Sequence, residues 1–114
     1  MKTIEKRLDH IWARIVKMGA GHRCERCGAA DVPWNPLEAH HVFGRRLKSV
    51  RWDLANGVAL CRQCHAHQRD APAESLEWAE AHMGAREFQK LQSRAQTVVK
   101  RTDDDLKMLL ESLE

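Results

Sequence analysis

Over the first twenty residues, apolar side chains recur three and four positions apart: Ile4, Leu8, Ile11, Trp12, Ile15 and Met18. That spacing lays one apolar stripe along a helix, with Thr3 as its expected N-cap and Gly19-Ala20-Gly21 as its stop. The stripe is the mark of a packing face over a core. The opposite face, with Lys6, Arg7, Arg14 and Lys17, offers direct contact with nucleic acid as the alternative use. From Leu37 the rhythm shortens, and Leu37–Phe43 predicts a short strand. Gly44–Arg51 follows as a basic stretch without an acid, and Asp53–Gly57 carries the Asn56-Gly57 pair, a favoured turn dipeptide. Val58–Leu60 is the expected return strand, and helix resumes from Arg62 to about Arg69.

Asp70-Ala71-Pro72 breaks the chain, and helical spacing then returns twice. Glu74–Met83 should end near Gly84. Residues from Ala85 to Lys100 repeat Phe88, Leu91, Ala95, Val98 and Val99 on one face. Thr102 with Asp103, Asp104 and Asp105 has the form of an N-cap and acidic first turn ahead of Leu106, Leu109, Leu110 and Leu113. This last stripe suits either a frayed terminus or docking on a partner protein, a second copy of the chain included. The pattern as a whole predicts an α+β fold in a single domain: an N-terminal helix over 1–21, a ββα core over 22–70 and a helical extension over 71–114. At 114 residues the core is modest and benefits from a staple.

Cysteine supplies the candidate staple. Cys24-x-x-Cys27, followed by Gly28, and Cys61-x-x-Cys64 are two knuckles separated by thirty-three residues. Four thiolates fill a tetrahedral structural zinc site and leave no open position. The N-terminus MKTIEKRLDH has no apolar signal segment, and no run approaches eighteen apolar residues. The expectation is therefore a soluble, cytoplasmic chain with no membrane partner, where thiols stay reduced and metal binding prevails over disulfides. His22 becomes redundant as a ligand, and Trp34 in the DVPWNP link is expected to cover the zinc or the hairpin. The net charge of +3 is unevenly spread, with thirteen basic against six acidic residues over 1–69 and six against ten over 70–114. The positive field thus falls on the half that holds the knuckles, where a polyanion would dock.

The gap between the knuckles exceeds that of a zinc ribbon, and it contains His40, His41 and Asn56, with His65 just after Cys64. Histidine titrates near neutrality and suits proton transfer, and a divalent ion suits stabilisation of charge at phosphorus. Adjacent residues on a strand point to opposite faces, so His40 and His41 should divide their labour.

LEAHHVFGRRLKSVRWDLANGVALCRQCHAHQ, with Asn56 fifteen positions after His41 and His65 nine after Asn56, resembles the HNH endonucleases. The resemblance covers about residues 24–69 and implies a ββα-metal (His-Me finger) module with a structural four-cysteine zinc. It implies His41 as general base, His40 and His65 as ligands of a catalytic divalent ion, and Asn56 as the brace of the hairpin loop. Many members carry Asp at the place of His40; a histidine there favours Zn, Ni or Mn over Mg. Some members add a second helix histidine four residues after the first. Here that place is Arg69, and His67 faces another way, which leaves two protein ligands with water and substrate phosphate for the rest. Arg46, with Arg45, would hold the scissile phosphate, and Lys48, Arg51 and Arg62 would contact the DNA backbone. The tail WAEAHMGAREFQKLQSRA also resembles helical extensions of phage and mobile-element HNH proteins. The implied function is metal-dependent cleavage of double-stranded DNA to 5′-phosphate and 3′-hydroxyl ends, in a bacterial host or its phage. The alternative is a non-catalytic zinc-ribbon module that binds nucleic acid, with His40 and His41 incidental.

Overall fold

The expected strand pair is present in the computed structural model, which describes residues 3–114. Helix α1 spans Thr3–Gly19, β1 Glu38–His41, β2 Gly57–Leu60, α2 Arg62–Asp70, α3 Pro72–Met83, α4 Ala85–Ala95 and α5 Asp103–Leu113, with a 3-10 turn at Leu54–Asn56 before β2. Strands β1 and β2 pair antiparallel, with Glu38 opposite Leu60, His40 opposite Val58 and His41 opposite Gly57. The fold is α+β, as the apolar pattern implied. Thr3, expected as a cap, is the first described residue of α1, and the position before it lies outside the described residues.

Helix α1 packs across the hairpin through part of the stripe that the sequence marks. Leu8 and Trp12 are buried with Val58 and Leu60 in one cluster, but the face continues through Val16, while Met18 is 58% exposed. Full burial of such side chains is worth about 1.5–3 kcal/mol each relative to exposure. The approach is close at Gly57, where a Cβ would meet Val16 Cγ2 at 2.4 Å and Trp12 Cζ2 at 2.8 Å. The Asn-Gly pair is thus no hairpin turn. Asn56 closes the 3-10 turn, and Gly57 opens β2 with an extended φ of −114°. Its missing side chain makes room for α1.

The C-terminal helices depart from expectation in two places. Helix α3 starts at Pro72, an N-terminal position that suits a residue without an amide proton. Helix α4 stops at Ala95, five residues short of the predicted end, and Val98 stands 89% exposed. Three β-branched residues, Thr97, Val98 and Val99, favour extended backbone there, and the Arg101 guanidinium ties the link to the Lys48 carbonyl. Thr102 is the predicted N-cap, and with Asp105 it forms a reciprocal capping box. Leu106 and Leu110 are buried and α5 packs on α1, so much of the terminal leucine stripe is covered within the chain itself rather than left for a partner. Trp34 is 82% exposed and covers neither zinc site nor hairpin, because its link turns outward through a Val32–Asn35 bridge. Among the described residues, no helix is long and apolar enough to cross a membrane.

Candidate active site and metal centre

The two knuckles converge. The sulfurs of Cys24, Cys27, Cys61 and Cys64 all lie within 4.8 Å of one another, and the Cys27 and Cys61 sulfurs are 3.7 Å apart. A tetrahedral zinc with bonds of about 2.3 Å requires sulfurs about 3.8 Å apart, so the four residues fit that ion. Local backbone makes the cup: Cys24 donates to the Ala29 carbonyl at 2.8 Å, and Gly28, at φ +80°, returns its N–H to the Cys24 carbonyl. Burial works to raise the Cys24 thiol, but backbone N–H groups from Cys27, Cys61 and Arg26 outweigh it and bring it down to about 6. Burial and the neighbouring thiols push Cys64 up to about 12, against the pull of the Arg26 guanidinium 3.6 Å away. Glu25, inside the first knuckle, accepts from the Ala59 N–H and meets His82 Nε2 at 2.8 Å. The cluster is thereby fastened to β2 and to α3.

On β1 the paired histidines separate as strand alternation requires. His40 turns toward α2, where its ring meets that of His65 edge-on at a centroid distance of 5.0 Å. Burial, then the neighbouring charges of His65 and His41, lowers His40 to about 4, so it is neutral and keeps a lone pair at physiological pH. Glu38, two residues earlier on the same strand face, places a carboxylate oxygen 2.9 Å from His65 Nδ1. Such a contact holds the proton on Nδ1 and leaves Nε2 free as a ligand. Sequence reasoning missed Glu38, although its period-two spacing from His40 was available as a signal. Among the described residues, the four cysteines are the one set of three or more metal-binding side chains whose ligand atoms already converge.

His41 faces the other way. Its ring stacks on Trp12 at 4.0 Å with an interplanar angle of 13°, and its Nε2 lies 3.0 Å from the Arg51 carbonyl. A carbonyl only accepts, so Nε2 carries the proton and Nδ1 the lone pair. Burial is the largest influence on His41 and keeps it below the usual histidine range, although the Arg51 carbonyl and Asp9 act in the other direction. Asn56, fully buried, ties down the loop that links the strands. Its Oδ1 accepts from the Phe43 N–H at 2.8 Å, and its Nδ2 donates to the Phe43 and Val50 carbonyls at 2.9 and 3.0 Å. One side chain thus secures both ends of the 43–50 loop.

The basic residues of that loop are not equivalent. Arg45, Arg46 and Lys48 are exposed, as is Arg62 at the start of α2. Arg45 lies 3.5 Å from Asp9 and Lys48 3.4 Å from Glu5, both acids of α1. Arg51, expected among the DNA-backbone contacts, is buried instead. Its Nε and Nη2 donate to the two oxygens of Asp9 at 3.0 and 2.6 Å, and Glu5 lies 3.8 Å from Nη1. A guanidinium so occupied is a structural clamp, not a phosphate contact. The +7 of residues 1–69 is accordingly weaker at the loop than its bare count, because α1 brings two carboxylates to it.

Residues 24–70 match the family model described as HNH endonuclease. That stretch is therefore similar to an HNH endonuclease domain, a family whose domains act on nucleic acid. The match takes in both knuckles, the hairpin and α2, and leaves α1 and the three C-terminal helices outside. No curated protein and no solved structure matches the chain significantly.

Proposed function

We propose that the chain is a metal-dependent DNA endonuclease in which His41 is the general base, and that one zinc held by Cys24, Cys27, Cys61 and Cys64 is structural. The observation that supports this most is the setting of His41: the Arg51 carbonyl occupies Nε2 and Trp12 fixes the plane, so the free Nδ1 has one direction in which to take a proton from water. His40 and His65 are the residues that would hold a catalytic divalent ion (Mn, Ni, Zn or Mg), with Glu38 keeping the His65 Nε2 lone pair available. When bound, such an ion acts as a Lewis acid on charge developing at the phosphate and the leaving oxygen. Asn56 keeps the loop, and so the base, in register. Arg46 has no acidic partner among the described residues and is the arginine we assign to the scissile phosphate, with Arg45, Lys48 and Arg62 as backbone contacts on double-stranded DNA.

The competing reading, a zinc module that binds nucleic acid without cutting it, draws on the four cysteines being the one converged ligand set among the described residues. The two readings part on metal stoichiometry and on activity. Zinc-loaded protein incubated with supercoiled plasmid and Mn²⁺, Ni²⁺, Zn²⁺ or Mg²⁺ should nick it with at least one of these ions and stop on chelation. No cleavage with any of the four, from protein holding a single metal per chain, would establish the binding module instead.

A further inference from the structure

Two features of α1 meet at the site although α1 lies outside the matched stretch. Trp12 stacks face to face on His41 and donates its Nε1 proton to the Asp53 carbonyl at 2.9 Å. Asp9 grips the Arg51 guanidinium with both oxygens and also accepts from Trp52 Nε1 at 2.8 Å. The backbone carbonyl of that same Arg51 receives the His41 Nε2 proton. Side chain and main chain of one residue thus join α1 to the histidine. Arg51 follows the exposed stretch Gly44–Lys48 and lies between the buried Val50 and Trp52, so the Asp9 clamp and the His41 contact act on one closely packed residue.

We propose that Asp9 and Trp12 are positioning residues of the nuclease site, Asp9 through the Arg51 carbonyl and Trp12 through the ring face, so that α1 is part of the working enzyme and not only its cover. This rests on the assignment of His41 as the base. Two restraints act on one imidazole at right angles: the stack fixes the plane, and the carbonyl fixes rotation within it and the tautomer. Neither residue touches substrate or metal ligand. Loss of either should therefore not weaken DNA binding but should lower the rate at saturating DNA. Displacement of outer partners of a reacting group typically costs about 10–100-fold.

The test uses the full zinc-loaded chain, supercoiled plasmid and Mn²⁺, with the variants Asp9→Asn, Trp12→Phe, Trp12→Leu and His41→Ala. Asp9→Asn should lower kcat about 10-fold or more without raising KM, since it also frees Arg45 from a carboxylate 3.5 Å away, and Trp12→Leu should lower kcat likewise with KM unchanged. Trp12→Phe, which keeps a ring on the imidazole, should recover most of the Trp12→Leu loss. Side-chain ¹⁵N spectra should show His41 as a single Nε2–H tautomer in the wild type and as a mixture in Asp9→Asn. Should Trp12→Leu fail to fold, as judged by zinc content and melting, Asp9→Asn and its spectrum decide. A folded Asp9→Asn with wild-type kcat and an unchanged tautomer overturns the proposal. Wild-type cleavage by His41→Ala overturns instead the assignment of the base on which it stands.

Discussion

At Gly57 the helix and the hairpin approach closely, and a single methyl group there measures how much the site depends on that approach. In Gly57→Ala the new Cβ would lie 2.4 Å from Val16 Cγ2 and 2.8 Å from Trp12 Cζ2, both inside the van der Waals limit. Neither neighbour yields cheaply. Val16 is β-branched and held in its helical rotamer, and Trp12 is 2% exposed, wedged by its Nε1 bond to Asp53 and by His41. The backbone at Gly57 is extended at φ −114°, so alanine adds no torsional strain, and the cost is overpacking alone. Overpacking of this kind costs about 1–3 kcal/mol, and two stiff neighbours place it near 3. At about 4 °C per kcal/mol for a chain of this size, the melting temperature should fall by about 12 °C. Gly44→Ala is the control, since no atom lies within 4 Å of its added Cβ. Calorimetry of the two variants under equal zinc loading makes the comparison. If Gly57→Ala melts within a degree or two of wild type, α1 does not press on β2 as described.

Further consequences are accessible to simple measurements. Cys61→Ser should release the metal and lower the melting temperature, because it removes one ligand of a closed four-sulfur site; a wild-type metal content in that variant would contradict the convergence of the cluster. Acid stability should depend on Asp9. Burial acts to raise its pKa, but the bonds from Arg51 and Trp52 prevail and lower it. A carboxyl depressed in the folded state adds stability that is complete above its unfolded value near 3.8 and is lost as the pH falls through the lower folded value. Asp9→Asn should therefore melt at lower temperature than wild type near pH 7, and the gap should close as the pH falls below 3.8 and through the lowered folded value; a gap that stays constant on acidification would count against the clamp. DNA binding should weaken with salt, and each of Arg45→Ala, Arg46→Ala and Lys48→Ala should flatten the slope by about one unit. Loss of the Arg51 side chain should act on stability rather than on that slope, which a fluorescence binding titration against salt would separate.

What could be read from the chain alone was what local pattern determines. The two cysteine pairs, the strands on either side of the loop, the start of α2 and the N-cap at Thr102 each rest on spacing within a few residues, and each appears where expected. The separation of His40 from His41 follows from strand alternation in the same way. The errors share a different origin. Arg51 looked like its neighbours Arg45 and Arg46 because nothing local distinguishes them. Its burial is decided by Asp9 and Glu5, which reach it only once α1 has docked. Gly57 looked like part of a turn for the same reason, since its need to be glycine comes from Val16 and Trp12, far away in sequence. The tryptophans show the limit most clearly: Trp34 is exposed, whereas Trp12 and Trp52 are buried beside the site, and composition treats all three alike.

The most direct test of the central claim compares two quantities in one variant, the cleavage rate of His41→Ala and its affinity for the second metal. Zinc-loaded wild type, His41→Ala and His40→Ala are titrated with Mn²⁺ by calorimetry and assayed on supercoiled plasmid. A positioned base contributes about 10²–10⁴-fold, so His41→Ala should lose at least that much rate while it binds Mn²⁺ as the wild type does. His40→Ala should lose the Mn²⁺ instead. Cleavage by His41→Ala at the wild-type rate, or loss of the second metal from that variant alone, would contradict the division of labour between the paired histidines.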